Sequence, residues 1–305
     1  MTFCKKYYIL FVYKKGVYMN IGVSLPWPFI SGLYTDESST AIKKQNHTIG
    51  TFLESLKEKG VLSIEFRHWQ EEILPYAGKG FKTVSDAGFQ ITVHGEVEEN
   101  YDSLDIMQSM PWLRAYLENA SQPDGEPLVI TMHPVKTRGK SIEENYRKSV
   151  SILRHLCREI EDKKLPVVIA YENQRDKGFP DPAVDYKDLV SAAAEANSGS
   201  IGLCWDMGHA WSNYGRGIIA EYPVPEFIKG AIHTHIHDLY PGTDATHWPL
   251  TCGTIPIFNN VKLLKESGYK GLYNLELSPE RFKGQDIMGA FSASIDILAK
   301  AYEDA

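Results

Sequence analysis

The chain reads as an α/β protein folded as a single (β/α)8, or TIM, barrel, and three observations carry that reading. Eight short apolar, β-branched runs fall along the chain, with stretches of helical period at five places among and after them. Those runs are close to continuously apolar, as strands of a parallel sheet are when its outer face is covered. Six consecutive runs end in, or carry, a side chain able to bind a metal ion, and barrel strands deliver their C-terminal residues to one mouth. Length alone would suggest about two domains, but barrels run to ~250 residues or more as one. A doubly wound open sheet is the alternative, and no G-x-G-x-x-G follows the first strand to support it.

Taken in order, the first strand falls at residues 21–25, just after Met19, and Phe52, Leu53 and Leu56 set the helical period that follows. The second strand, 62–66, runs on into Arg67 and His68. The third, 90–94, ends in His94, and 104–117 carries the next helical pattern. The fourth, 128–133, ends in His133; Val150, Ile152, Leu153, Leu156 and Ile160 then mark an amphipathic helix. The fifth, 167–172, ends in Glu172 and leads to a helix over 189–196. The sixth, 201–206, ends in Asp206, and the seventh, 231–238, carries His235. The eighth, 271–276, ends in Glu276, and a helix over 290–302 completes the barrel.

Composition narrows the class. The chain is 43% hydrophobic and 23% charged, with a net charge of -7, so nothing in the bulk charge favours a grip on nucleic acid. Cys4, Cys157, Cys204 and Cys252 are widely spaced and form no C-x-x-C pair, which fits a reducing cytoplasm better than a disulfide framework. Residues 7–13 are an apolar run between lysine pairs, far below the ~20 residues a membrane span needs. That segment also lacks a small-residue cleavage site. Residues 1–18 are therefore read as an extension before a barrel spanning 19–305, with Met19 as a second candidate start.

The densest chemistry lies in Ile232-His233-Thr234-His235-Ile236-His237-Asp238, with Asp244 and His247 close behind. Strand alternation places His233, His235 and His237 on one face. Three imidazoles in register beside carboxylates ask for a cation. His233, nearest the strand start, reads as core, and Asp238 as the carboxylate that orients His237.

The motifs Val93-His94-Gly95, Met132-His133-Pro134, Ala170-Tyr171-Glu172-Asn173, Cys204-Trp205-Asp206-Met207-Gly208-His209, His235-Ile236-His237-Asp238, Asp244-Ala245-Thr246-His247 and Leu275-Glu276 span the barrel. On them the chain resembles the xylose isomerase-like TIM-barrel superfamily over about residues 20–300. That group includes sugar isomerases and epimerases, dehydratases and endonuclease IV-type (AP endonuclease family 2) repair nucleases. In the sugar-acting branch the resemblance implies one Mn, Co, Mg or Zn ion held by Glu172, Asp206, His235 and Glu276. It also implies Glu172 and Glu276 as the acid/base pair of isomerisation or epimerisation, with His209 beside the substrate. In the nuclease branch it implies a multinuclear zinc phosphoesterase that adds His94, His133, His209 and His247. The Asp that branch places two residues before His247 is Ala245 here, leaving Asp244 as the nearest carboxylate.

The loop after His94 carries Glu96, Glu98 and Glu99, which would repel a nucleic-acid backbone. The expected partner is thus a small polyol or ketose, with no membrane and with a homo-oligomer as an open alternative. His68, Lys136, Arg138 and Trp248 are the candidate substrate contacts, the two cations suited to a substrate phosphate or carboxylate. Trp27, Trp69, Trp205 and Trp211 fall in or beside the same loops, where stacking on a sugar ring and plain packing explain them equally well.

Overall fold

The computed structural model describes residues 19–282 and 284–305; the expected extension at 1–18 and Cys4 within it lie outside the described residues. The chain opens with β1 (Ile21–Pro26), α1 (Trp27–Ser31), α2 (Glu37–Lys44) and α3 (Ile49–Glu58). It continues with β2 (Ser63–Arg67), α4 (Leu74–Asp86), β3 (Gln90–His94), α5 (Ile106–Ser109) and α6 (Pro111–Asn119). Next come β4 (Leu128–Met132), α7 (Ile142–Asp162), β5 (Val167–Glu172), α8 (Tyr186–Ala196), β6 (Ile201–Asp206), α9 (Met207–Gly215) and α10 (Pro225–Gly230). The last elements are β7 (Ala231–Ile236), α11 (Ile257–Glu266), β8 (Leu272–Leu275) and α12 (Ile287–Asp304). All eight strands are parallel, each pairs with the next, and β8 closes on β1.

The (β/α)8 barrel is the expected fold, with local differences that have physical causes. The helical pattern over 104–117 is two helices because Pro111 opens the second, where its missing N–H costs nothing. β7 stops at Ile236, and Asp238 instead pairs with Trp248 across the following loop. A bulge between Leu203 and Cys204 sets the phase of β7, bringing His235 level with Asp206. A capping box between Ser141 and Glu144 starts α7, whose buried stripe includes Val150, Leu153, Leu156 and Ile160.

The two faces of the sheet differ sharply. Outside, Phe66 of β2 packs 4.8 Å from Phe81 of α4 and 4.6 Å from Trp27. Inside, the layer beneath the mouth is polar: Ser24, Glu65, Thr131, His233 and Asn274 are buried and joined through the Glu65 carboxylate. Bulky aliphatic side chains usually fill that space. Among the described residues no helix is long and apolar enough to cross a membrane, and Cys157, Cys204 and Cys252 are free.

Candidate metal centre

Glu172 and Asp206 end β5 and β6, His235 sits one residue before the end of β7, and Glu276 follows β8 directly. Each emerges from its strand toward the barrel axis, so four side chains far apart in sequence meet at one point. Their ligand atoms all lie within 4.8 Å of one another. His235 Nδ1 is 3.3 Å from Glu172 Oε1 and 3.4 Å from Glu276 Oε2. His209, on the first turn of α9, brings its Nδ1 to 3.0 Å from Asp206 Oδ2 and 3.5 Å from Glu172 Oε1.

A cation fits this arrangement. Glu172 Oε1, His209 Nδ1 and His235 Nδ1 are buried and make no hydrogen bond. Buried polar atoms are normally paired, so three of them facing one gap need a common partner. Three carboxylates and an imidazole suit a hard or borderline divalent ion, with positions left for substrate oxygens.

Electrostatics point the same way. Burial alone would push Glu172 up, but the charge of His235 and the hydrogen bond from His133 hold the carboxyl well below its ordinary value. Burial also opposes ionisation of Glu276, and His235, His247 and Arg67 override it. Burial together with Lys136 and His94 nearby outweighs the pull of Glu172 on His133, which is pushed down to about 4, leaving a neutral ring that donates from Nε2 to Glu172 Oε2.

The second oxygen of Glu172 faces another way. Its Oε2 lies 3.0 Å from His133 Nε2 and 3.4 Å from His94 Nε2, and these three form a further potential cation group. His247 Nε2 reaches Glu276 Oε2 at 3.4 Å from the loop after β7. His247 holds a left-handed backbone (φ 64°), a conformation that costs a non-glycine residue energy and is typical of built sites.

Other expected site residues stand apart. Asp244, expected to join a multinuclear cluster, is exposed on its loop, 3.7 Å from Arg175 Nη1, and belongs to none of the cation groups among the described residues. His237 occupies the space beside His247 instead, the two rings stacked at 4.2 Å. The His247 backbone N–H donates to His237 Nδ1 (3.0 Å), so the ring hydrogen sits on Nε2 and is donated to Asp206 (3.1 Å). His237 thereby orients Asp206 and has no lone pair to offer an ion. Its ring lies so close to α9 that a Cβ at Gly208 would stand 2.0 Å from it, which explains the glycine between Asp206 and His209.

Asp238 does not orient His237. Its carboxylate accepts from the backbone N–H groups of Leu239, Thr254 and Ile255 and ties down the loop after β7. Lys136 pairs with Asp181 (2.6 Å) and Gln174 (3.1 Å), while Arg138 is exposed on the same loop. His68, also left-handed (φ 60°), faces Asp36 at 3.5 Å. Trp248 is buried against Tyr240, and Trp27 and Trp205 are buried as well, so packing accounts for these indoles. Two residues without a sequence-based role emerge: Arg67, buried 3.5 Å from Glu276 Oε1, and Glu65 beneath His235.

A family model described as xylose isomerase-like TIM barrel matches residues 53–300. Comparison with curated protein sequences gives no match. Among solved structures, a xylose isomerase domain protein from Alicyclobacillus acidocaldarius subsp. acidocaldarius is similar at TM-score 0.65 and 13% identity, covering 94% of this chain and 99% of that one. D-psicose 3-epimerase with D-tagatose, from Clostridium cellulolyticum H10, is similar at 0.60 and 14%, covering 92% and 99%. The IolI protein with a zinc atom bound is similar at 0.59 and 15%, covering 92% and 98%.

Proposed function

This chain belongs to the xylose isomerase-like TIM-barrel family, and from that premise we propose that it is a divalent-metal-dependent isomerase or epimerase of a small sugar or sugar phosphate. The observation that carries the reading is the convergence of Glu172, Asp206, His235 and Glu276, with buried atoms of Glu172 and His235 left unpartnered toward one gap. A D-psicose 3-epimerase and a 3-keto-D-glucoside 4-epimerase among the similar folds support that substrate class.

Those four residues would hold Mn, Zn, Co or Mg. When bound, such an ion supplies polarisation of a substrate carbonyl and a grip on the adjacent hydroxyl. The chain's own groups do the rest. Glu172 stays ionised in its buried setting, as a general base must, and takes the proton from the carbon next to the carbonyl. Glu276, ionised at rest beside Arg67, first takes up a proton from solvent or the adjacent hydroxyl. It then delivers that proton to the neighbouring carbon for isomerisation or to the opposite face for epimerisation, while Glu172 releases the proton it took to solvent. His209 holds a substrate oxygen at the edge of the site, and Lys136 and Arg138 on the loop after β4 meet a substrate phosphate if there is one. The setting is cytoplasmic on this reading, with no nucleic acid as partner.

The test is metal content of untagged protein followed by solvent-deuterium incorporation into a panel of ketoses and polyols. One tight ion per chain and deuterium at the carbon next to a carbonyl would bear the reading out. No exchange with any ketose under any divalent ion would sink it.

One observation favours a second reading. The two histidines on Glu172 Oε2 would make Glu172 a bridge between two ions, as in an endonuclease IV-like zinc phosphoesterase. Glu96, Glu98 and Glu99 stand exposed beside that side of the mouth, which disfavours a nucleic-acid substrate. Two zinc ions per chain with phosphoester hydrolysis would move the assignment there.

A further inference from the structure

β2 gives the mouth no ligand, yet it carries two of the most deeply buried charges in the barrel, Glu65 at 0% and Arg67 at 2% exposure. Ile64 and Phe66 alternate with them, and Phe66 packs outward against α4, so Glu65 and Arg67 point inward. The Glu65 carboxylate sits directly beneath the candidate metal centre. It accepts from Ser24 Oγ (2.6 Å), Asn274 Nδ2 (3.1 Å) and Thr131 Oγ1 (3.4 Å). It also lies 3.0 Å from His233 Nε2 and 3.1 Å from His235 Nε2.

This surrounding of donors, one of them an amide NH2 that can only donate, defines Glu65 as an acceptor. The hydrogen between Glu65 and His235 therefore belongs to His235 Nε2. With the Nε2 hydrogen committed to Glu65, Nδ1 is the nitrogen left to give its lone pair to a cation, and it is the atom that faces Glu172 and Glu276 without a hydrogen bond of its own. We propose that Glu65 is the positioning residue of the metal centre, fixing the tautomer and ring plane of His235 from below so that Nδ1 is its ligating nitrogen. The proposal rests on the reading that Glu172, Asp206, His235 and Glu276 bind a divalent ion. A carboxylate behind a metal-binding imidazole raises its basicity and sets its direction, and losing one typically weakens metal affinity about 10–100-fold.

The substitution Glu65→Gln keeps the shape and brings an NH2 into a pocket built for an acceptor. Ion affinity of wild type and variant would be measured with Mn2+ and Zn2+ by chelator competition, alongside the melting temperature of each metal-free protein. The expected result is a fall of about 10–100-fold in affinity for both ions. A variant that melts lower but binds both ions as wild type does would mean that Glu65 only supports the core, and would overturn the assignment. A wild-type chain that binds neither ion would instead bring down the functional reading itself. Should Glu65→Gln fail to fold, long-range 1H–15N NMR on the zinc-loaded wild type, with His235 assigned by comparison with His235→Gln, decides the matter. Zinc on Nδ1 and hydrogen on Nε2 is expected; the reverse tautomer would refute the proposal.

Discussion

The two oxygens of Glu172 look into differently built halves of one mouth. On the Oε1 side, Asp206, His235 and Glu276 are buried, and each is held from behind: Asp206 by His237, His235 by Glu65, Glu276 by Arg67. On the Oε2 side, His94 and His133 have side chains 15% and 35% exposed, and no described residue hydrogen-bonds their Nδ1 atoms. A ligand gripped by a second group is pre-aimed, while one that turns freely loses entropy when it binds. The contrast teaches that having the right residue types at one mouth is not the same as having two equivalent sites. On the proposed reading the half built from β5 to β8 would hold the tighter ion, and the half from β3 and β4 would suit a weaker or exchangeable ion, or substrate.

The strongest way to break this comparison is to remove what the halves share. Glu172→Gln should lower kcat by about 10^2–10^4, the usual worth of a positioned general base, and should weaken ion binding on both sides. Steady-state turnover and metal content would check it, and a variant with near-normal turnover would remove Glu172 from the chemistry. Next in size is Arg67→Met, which strips the buried cation from Glu276. Breaking such a buried pair costs about 3–5 kcal/mol, read by urea denaturation of the metal-free protein. Because a bound cation would compensate the same carboxylate, the loss should shrink when a saturating divalent ion is added. An equal loss with and without the ion would separate Glu276 from the metal centre.

The sequence makes the convergent half legible and its supports invisible, for a physical reason. Glu172, Asp206 and Glu276 stand at the ends of apolar runs, where a charge is conspicuous. Glu65 and Arg67 lie within a run whose outward residues, Ile64 and Phe66, make it read as an ordinary buried strand. The clue was available: two charges at alternate positions of a buried strand must share the inner face and find partners there. His237 shows the converse limit. Alternation placed it beside His235, but which atom it engages depends on the path of the loop that delivers the His247 N–H. The same loop path turns Asp244 outward, which a spacing of three residues from His247 does not foretell. Helix α4 has little helical signature in the sequence because Gly78 and Gly80 interrupt its apolar pattern, although the barrel order requires a helix between β2 and β3.

A smaller effect separates the halves. His133→Ala removes a ring that reaches only the Oε2 side of Glu172. It should leave the tight ion in place, with its affinity changed less than about 3-fold, while any second, weaker ion disappears; loss of a second-layer partner by comparison costs 10-fold or more. Ion stoichiometry by mass spectrometry at two metal concentrations reads both. If the tight ion left with His133, the halves would be one cooperative centre and the asymmetry drawn here would fail.

The smallest expected effect lies on the rim, away from both oxygens of Glu172. Asp36 caps α2 through the Ser39 N–H (2.6 Å) and faces His68. Burial pushes its carboxyl up, but the hydrogen bonds from His68 and Ser39 outweigh that and hold it below the usual carboxylate value. A group whose folded pKa is depressed stabilises the fold above its unfolded pKa, near 3.9, and loses that contribution as pH falls through the folded value. Asp36→Ala should therefore cost about 1 kcal/mol at pH 7, the common worth of an N-cap. The gap between wild type and variant should stay constant down to about pH 5 and narrow only below about pH 4. Denaturation curves at those pH values check this, and ion affinity measured on the same variant should not move. If it did, His68 and its left-handed turn would belong to the metal centre after all, and the rim would have to be counted with the Oε1 side.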